Sequence, residues 1–273
     1  MFRANIIEGG FSCHHNSGFF STCSILFYNI IEYIKKTNKL PTVIDCPQSF
    51  GLYKGHDSIN GNTVFSNCFQ ISKEKIKQID PLEFKGYNPP RSASIRYDKQ
   101  NYQLSSQIIN AYFSPSKQIR ERRKTLIEKY NIVSEETLCI CFRGTDKYKE
   151  VEETPYSLFC SRINEVVANN SIKKILVQTD QKQFLDFVLE NYDDLNTSFI
   201  LENPMREDRK QVMHALNNNN KREAYLNFLA SMFIFCDCKF LINHTGNVGR
   251  WIAFFRGGAK DSIQYFGKKE FIS

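Results

Sequence analysis

The chain has no apolar stretch approaching the ~18 to 20 residues of a membrane span, and no charged leader followed by a long apolar segment. Those two absences argue against a spanning helix and set the expectation of a soluble, untargeted, cytoplasmic protein. Long basic tracts interleaved with aromatics are missing as well. The densest basic cluster, Arg120 to Lys124, falls on a predicted helix and has Glu121 inside it, so a dedicated nucleic-acid interface is not expected. A disulfide framework is missing too: the nine cysteines are an odd number with no regular spacing. Cys139/Cys141 and Cys236/Cys238 sit in apolar segments, and Cys-x-Cys is not the spacing of a zinc ribbon. Reduced, buried thiols without metal are the expected state.

What is present is core-forming material. Of the 273 residues, 41% are hydrophobic and 14% aromatic, enough for one large α/β domain or two lobes of ordinary size. The formal charge of +7 suits an anionic partner such as a nucleic acid, a lipid surface or a nucleotide sugar, with most of the excess on a solvated surface.

In chain order, Arg3 to Glu8 predicts a first strand ended by Gly9-Gly10. A polar, flexible loop comes next from Phe11 to Gly18, then a helix over Phe19 to Lys36 with Phe20, Ile25, Leu26, Phe27, Ile30, Ile31 and Ile34 as its apolar face. Strand, glycine-bearing loop and helix make the first unit of a Rossmann-like lobe. His14, His15 and Asn16 stand where a helix N-terminus attracts ligands, and read either as site residues or as plain surface. Pro41 to Cys46 is the second strand; Asp45 at its end either bonds a ligand or caps the next segment. Residues 47 to 107 read as a long irregular binding segment, with short helices near Lys73 to Ile79 and Ser105 to Tyr112. A helix from Pro115 to Tyr130 marks the lobe boundary, giving an N-terminal lobe over 1–114 and a C-terminal lobe over 115–273.

The second lobe alternates more clearly. Strands are predicted at Leu138 to Phe142, Lys174 to Gln178, Ser198 to Leu201 and Phe240 to Asn243. Helices are predicted at Pro155 to Ala168, Lys182 to Tyr192, Arg222 to Phe235 and from Arg250 through Phe255. The Asn217 to Asn220 run reads as a low-complexity connection. Such alternation predicts a parallel sheet with flanking helices.

Chemistry gathers at the strand ends. Leu138-Cys139-Ile140-Cys141-Phe142 is a buried strand that runs into Arg143-Gly144-Thr145-Asp146-Lys147, with Glu150 beyond. In an open α/β sheet ligands bind at that end. The arginine fork can hold two oxygens of a diphosphate, or it can close the loop by pairing with an aspartate. A polar, glycine-bearing turn between a strand and a helix, Asn243 to Arg250, aims backbone amides at an anion, which makes Thr245, Gly246 and Asn247 phosphate-site candidates together with Arg250. Asp180, after the neighbouring strand, is placed near the same ligand or caps the next helix.

Arg143 to Lys147 after an apolar strand, with Glu150 and Pro155 beyond and Tyr112-Phe113-Ser114-Pro115 before, resembles the arginine motif of the α1,6-, nodulation and protein O-fucosyltransferases. The resemblance covers roughly residues 108 to 256. It implies two Rossmann-like lobes facing across a cleft, the glycosyltransferase-B arrangement, and inverting transfer of fucose from GDP-fucose to a glycan. It also implies that Arg143 holds the β-phosphate, that Glu150 is the general base (with Glu152 and Glu153 as alternatives), and that Asp146 and Lys147 brace loop and donor. Asp180 then lies near the ribose or base, and Thr245-Gly246-Asn247 takes the place of the family's Ser-Ser-Gln. His14, His15, Asn16 and Asp45 fall on the acceptor side, although the loop lacks the family's Gly-x-Gly-Asn-Gln. Three other positions depart from the pattern: the tandem arginine is Arg143-Gly144, the histidine two residues before the arginine is Cys141, and the helix over Leu226 to Phe235 lacks an acid. No Asp-x-Asp sequence ends a strand, which fits metal-independent, cofactor-free chemistry. The alternatives are another nucleotide sugar on the same scaffold, or a non-catalytic nucleotide-sugar or glycan binder.

Overall fold

The computed structural model describes residues 4–54, 60–91, 96–144, 152–203 and 221–273. The chain divides into two compact units, one of Met1–Arg91, Gln100–Glu121 and Asn217–Leu226, the other of Ser92–Lys99, Arg122–Leu216 and Asn227–Ser273. Among the described residues no helix is long and apolar enough to cross a membrane.

The first unit opens with a hairpin. β1 (Ala4–Ile7) and β2 (Gly10–Cys13) pair antiparallel, and β2 pairs in parallel with β3 (Val43–Asp45). Gly9, at φ +71°, makes the tight turn. The glycines therefore turn the chain instead of ending the strand, and the expected flexible loop loses its first half to β2, where Phe11 and Cys13 are buried. Gly10 is needed for close approach: a Cβ there would lie 1.8 Å from the Val43 carbonyl oxygen. Gly10→Ala is expected to lower stability by about 1–3 kcal/mol, the usual cost of overpacking, measured as a shift of the urea midpoint at unchanged slope.

α1 (Phe19–Thr37) is buried along most of its length and ends on Asn38 in the left-handed conformation, with Lys35 and Lys36 complementing its C-terminal dipole. Beyond β3 both expected short helices are present, and the rest of the stretch is more regular than expected. α2 (Gly61–Cys68) is capped by Asn60, whose side chain accepts from the Thr63 N–H; β4 (Phe69–Gln70), α3 (Lys73–Lys77), α4 (Tyr102–Tyr112) and β5 (Ser114–Pro115) come after it. Pro115 belongs to β5, which pairs with β4, so α5 (Lys117–Lys129) starts later than the proline suggested.

The second unit carries the larger sheet. Its elements are β6 (Thr137–Phe142), α6 (Tyr156–Asn169), β7 (Lys174–Thr179), α7 (Lys182–Asn191), β8 (Ser198–Phe199), α8 (Lys221–Asp237), β9 (Phe240–His244), α9 (Asn247–Arg256), β10 (Ser262–Phe266) and β11 (Lys269–Ile272). The strand order is β11-β10-β9-β6-β7-β8, all parallel except the β10–β11 hairpin, which turns on Gly267 at φ +59°. The sequence pattern does not announce that final hairpin, because Gln264 interrupts its apolar run. β6 is buried at every position. Leu138, Ile140 and Phe142 join Phe159, Ile163, Val177 and Phe184 in one core. Cys139 and Cys141 alternate to the other face, where Cys139 lies beside Cys238.

The order of the strands positions the site. From β6 the chain winds outward through β7 and β8, then returns to lay β9 on the other flank of β6 and winds outward again through β10. Crossovers after β6 and β9 leave in opposite directions, so a crevice opens beyond the C-terminal ends of these two strands.

Candidate functional site

Arg143 and Gly144 come directly after β6, and His244, Thr245 and Gly246 run from β9 into α9. The two stretches are brought together at the switch point of the sheet. The turn after β6 is held by its backbone from both flanks. On the β7 side the Gly144 N–H donates to Asp180 Oδ1 at 2.9 Å; on the β9 side His244 Nδ1–H donates to the Arg143 carbonyl at 2.9 Å. Arg143 keeps 32% of its side chain exposed, with Nε 3.8 Å from Asp180 Oδ2, whose side chain is 10% exposed. The guanidinium is thus oriented by a carboxylate while still accessible to an anion.

Asp180 is not the cap of α7. The N-cap position of α7 is Gln181 and carries no side-chain cap bond. Instead Asp180 braces the arginine turn. Its neighbour also explains the missing second arginine, since a Cβ on Gly144 would meet Gln181 Oε1 at 2.0 Å and the Phe142 ring at 2.6 Å. Asp180→Ala leaves the buried Gly144 N–H without its acceptor and is expected to cost about 1–3 kcal/mol in urea unfolding. Asp180→Asn, which keeps an acceptor oxygen, is expected to lose less.

Cys141, in the strand two residues earlier, is no substitute for a charged group. Burial, and then the charge of Asp180, push its thiol up to about 12, against the pull of Arg143. It is therefore neutral at physiological pH. Among the described residues no group of histidine, cysteine and carboxylate side chains could hold a metal ion.

The turn into α9 is built as tightly. Gly246 sits at φ 155°, ψ 178°, a region essentially reserved for glycine. The hydroxyl of Tyr97 accepts from its N–H and donates to its carbonyl, both at 2.9 Å. The Thr245 N–H donates to the Tyr265 carbonyl at 2.7 Å, and the Thr245 hydroxyl accepts from Gln264 Nε2 at 3.1 Å. Gln264 Oε1 in turn accepts from the Tyr97 N–H at 2.9 Å. Two of the amides expected to meet an anion are therefore engaged inside the protein. Arg250 is fully buried, its guanidinium 5.1 Å from the centre of the Phe254 ring, and supports the first turn of α9 from within. Gly249 lets that turn approach β9, since a Cβ there would fall 2.5 Å from Asn243 Oδ1. That oxygen is buried without a hydrogen-bond partner.

In the first unit the candidates lie beyond β2 and β3. His14 Nδ1 is 2.8 Å from Gln48 Oε1, the His15 N–H donates to Ser49 Oγ at 3.1 Å, and Asn16 Oδ1 accepts from the Gly51 N–H at 2.7 Å. This row of bonds ties the loop to the segment after β3, so its second half is anchored where flexibility was expected. Asp45 accepts from Ser12 Oγ at 2.9 Å and from Asn62 Nδ2 at 2.8 Å, an internal brace and not a cap. A cavity of about 410 Å³ opens beside His14, Ser12, Asn5 and Gln48.

Thr145, Asp146, Lys147 and Glu150 lie outside the described residues. Glu152 is paired with Lys268 at 2.7 Å. Tyr97 and Gln264 are missed by sequence reasoning, and His244, inside the turn singled out there, is given no role by it. Their partners are far away in the chain, and no local spacing connects them.

No family model matches the sequence, and no curated protein matches it. Among solved structures the chain is similar to the fucosyltransferase NodZ from Bradyrhizobium, with a TM-score of 0.54 at 14% identity over 93% of this chain and 94% of that one. A selenomethionine form of the same enzyme gives 0.52 at 14% identity over 95% and 96%. POFUT1 in complex with GDP-fucose gives 0.39 at 12% identity over 62% of this chain. The chain spans about half of the length of POFUT1 (51%), and the fit is too loose to bear on the fold. The NodZ likeness, nearly end to end, shows the fold: the α/β class with a parallel sheet expected from the sequence is the one found.

Proposed function

We propose that the chain is an inverting, metal-independent glycosyltransferase that moves fucose from GDP-fucose to a glycan acceptor. The observation that carries this reading is the placement of Arg143. It stands at the switch point between β6 and β9, its backbone locked from both sides and its side chain partly exposed, in a fold shared with a fucosyltransferase. An acceptor hydroxyl attacks the anomeric carbon, the bond from that carbon to the diphosphate breaks, and the electron pair leaves with GDP. The demand is for charge stabilisation on the departing phosphate, and Arg143 supplies it. Glu150 receives the hydroxyl proton. Asn247, at the start of α9, remains on the donor side, with Thr245 and Gly246 shaping the turn beneath it, and His14, His15 and Asn16 belong to the acceptor side.

A second reading, the same scaffold with a different nucleotide, is favoured by Cys141 and by the lack of an acid over Leu226 to Phe235, the positions that serve guanine in the family resembled. A thermal-shift comparison of GDP, UDP, ADP and CMP separates the two, because a ligand that binds only the folded state raises its apparent stability. A GDP-selective shift followed by fucose transfer in an acceptor screen supports the first reading; a shift confined to another nucleotide replaces it with the second. Donor that binds and is recovered intact with every acceptor makes the protein a binder.

A further inference from the structure

A polar row crosses the small sheet of the first unit at the end where β2 and β3 finish. Asn5 on β1 is paired directly with Ser12 on β2, and Ser12 is in register with Asp45 on β3, so the three side chains share one face. The row is set from behind by α2. Asn62 Oδ1 accepts from the Cys46 N–H at 2.6 Å, which identifies the oxygen end of that amide, and its Nδ2 donates to Asp45 Oδ1 at 2.8 Å. The other carboxylate oxygen takes the Ser12 hydroxyl hydrogen, with 2.9 Å between Oγ and Oδ2. A hydroxyl has one hydrogen, so Ser12 offers only lone pairs to anything else that approaches it. Beyond β2, His14 Nδ1 is held by Gln48 Oε1 at 2.8 Å. Among the described residues no other hydrogen bond engages the ring, which leaves Nε2 for a ligand.

The cavity of about 410 Å³ lies against these groups and falls within the range of small-ligand sites, about 300–1,000 Å³. Asn5, Ser12, His14 and Gln48 supply its polar lining, and the rest of the described lining is small. Among the described residues it holds no Phe, Tyr or Trp ring on which a flat base could stack, and no Lys or Arg to hold an anion. The carboxylate of Asp45 behind Ser12 has the wrong sign for a phosphate. What suits the cavity is an uncharged ligand with several hydroxyls, each able to donate to Ser12 and to accept from an amide.

We propose that the cavity binds a sugar ring of an uncharged glycan, with one hydroxyl donating to Ser12 Oγ and a second held by His14 Nε2. The amides of Asn5 and Gln48 flank the two contacts. The assignment names the ligand class and the contacts of the acceptor side, and for its place in a transfer reaction it rests on the proposed function. Binding of the sugar itself does not depend on that reading.

Saturation-transfer NMR on the whole chain without nucleotide tests it. The probes are free neutral sugars (glucose, galactose, mannose, xylose, N-acetylglucosamine and their disaccharides), with glucuronate as the anionic counterpart. At least one neutral sugar is expected to bind with about millimolar affinity, glucuronate to bind more weakly, and inorganic phosphate to displace neither. His14→Ala and Gln48→Ala are each expected to weaken the neutral sugar about two- to tenfold, the scale of one net hydrogen bond. Asn5→Trp fills the cavity and is expected to abolish binding. All three side chains are exposed, so the variants should fold, which thermal melts check. No binding by any neutral sugar, or binding unchanged in the three variants, overturns the proposal, whether or not the protein proves to transfer fucose. Preference for glucuronate, or displacement by phosphate, overturns the ligand class. Sugar binding that Asn5→Trp abolishes, in a protein that binds no nucleoside diphosphate, upholds this site and overturns the transferase reading instead.

Discussion

On the proposed glycosyl transfer, Arg143→Ala is expected to lower turnover by about 100- to 1000-fold, the usual cost of removing one preorganised charge donor from a leaving group. The side chain is placed for this effect. Its turn is fixed by Asp180 and His244 through the backbone, so the guanidinium needs no reorganisation when charge develops on the phosphate. The substitution leaves the core untouched, because the Arg143 side chain is partly exposed and its nearest approach to Asp180 is 3.8 Å. Stability should fall by no more than about 1 kcal/mol, the scale of a partly exposed ion pair. Arg143→Lys restores a charge without the two-pronged geometry and is expected to recover only part of the rate. Initial rates under saturating donor, with thermal melts alongside, check all three statements. A turnover loss matched by a comparable loss of stability would assign Arg143 a structural role instead.

Phe142→Ala has the largest expected effect on stability, about 3–5 kcal/mol in urea unfolding. The ring is 2% exposed and stacks on Phe184 at 4.1 Å and 14°. It also meets Phe159 and Tyr156 edge-on at 5.3 and 5.5 Å. Truncation removes one side of each contact and leaves a cavity directly beneath the site. His244 loses the parallel face against which it lies, so nucleotide affinity should fall as well, whereas truncation of Ile163, deeper in the same core, should cost stability alone. Equilibrium unfolding and nucleotide titration on the two variants separate packing from positioning.

Much of the second unit was legible in the sequence because of how parallel sheets are buried. β6 and β7 are covered on both faces, β6 reading as a nearly unbroken apolar run and β7 as Ile175-Leu176-Val177 between polar ends, while α6 and α7 carry helical periodicity, so their ends fall within a residue or two of expectation. Legibility failed where pairing partners are distant or strands short. β2 has one buried large apolar residue, Phe11, and its strand character comes from pairing with β3 some thirty positions later. β10 and β11 are held by the sheet and a glycine turn, with Gln264 buried among its partners for a purpose that no local pattern reveals. Arg143 was legible as a site residue because a polar cluster comes after a buried strand. Asp180 was legible as an acid at a strand end but not in its role, because that role is set by the Gly144 amide 36 residues away. Tyr97 gave no signal in the sequence. A buried hydroxyl that both donates to and accepts from one glycine is a product of tertiary structure alone.

The central claim is that the crevice beyond β6 and β9 binds a nucleoside diphosphate through Arg143. Calorimetric titration of GDP into wild type and Arg143→Ala, at one fixed ionic strength, tests it most directly. The expected result is saturable one-to-one binding to wild type, weakened about 10- to 100-fold by the substitution, in line with about 1.5 to 3 kcal/mol for a hydrogen bond to a charged group. Equal affinity in the two proteins, or no heat with GDP in wild type, would contradict the claim.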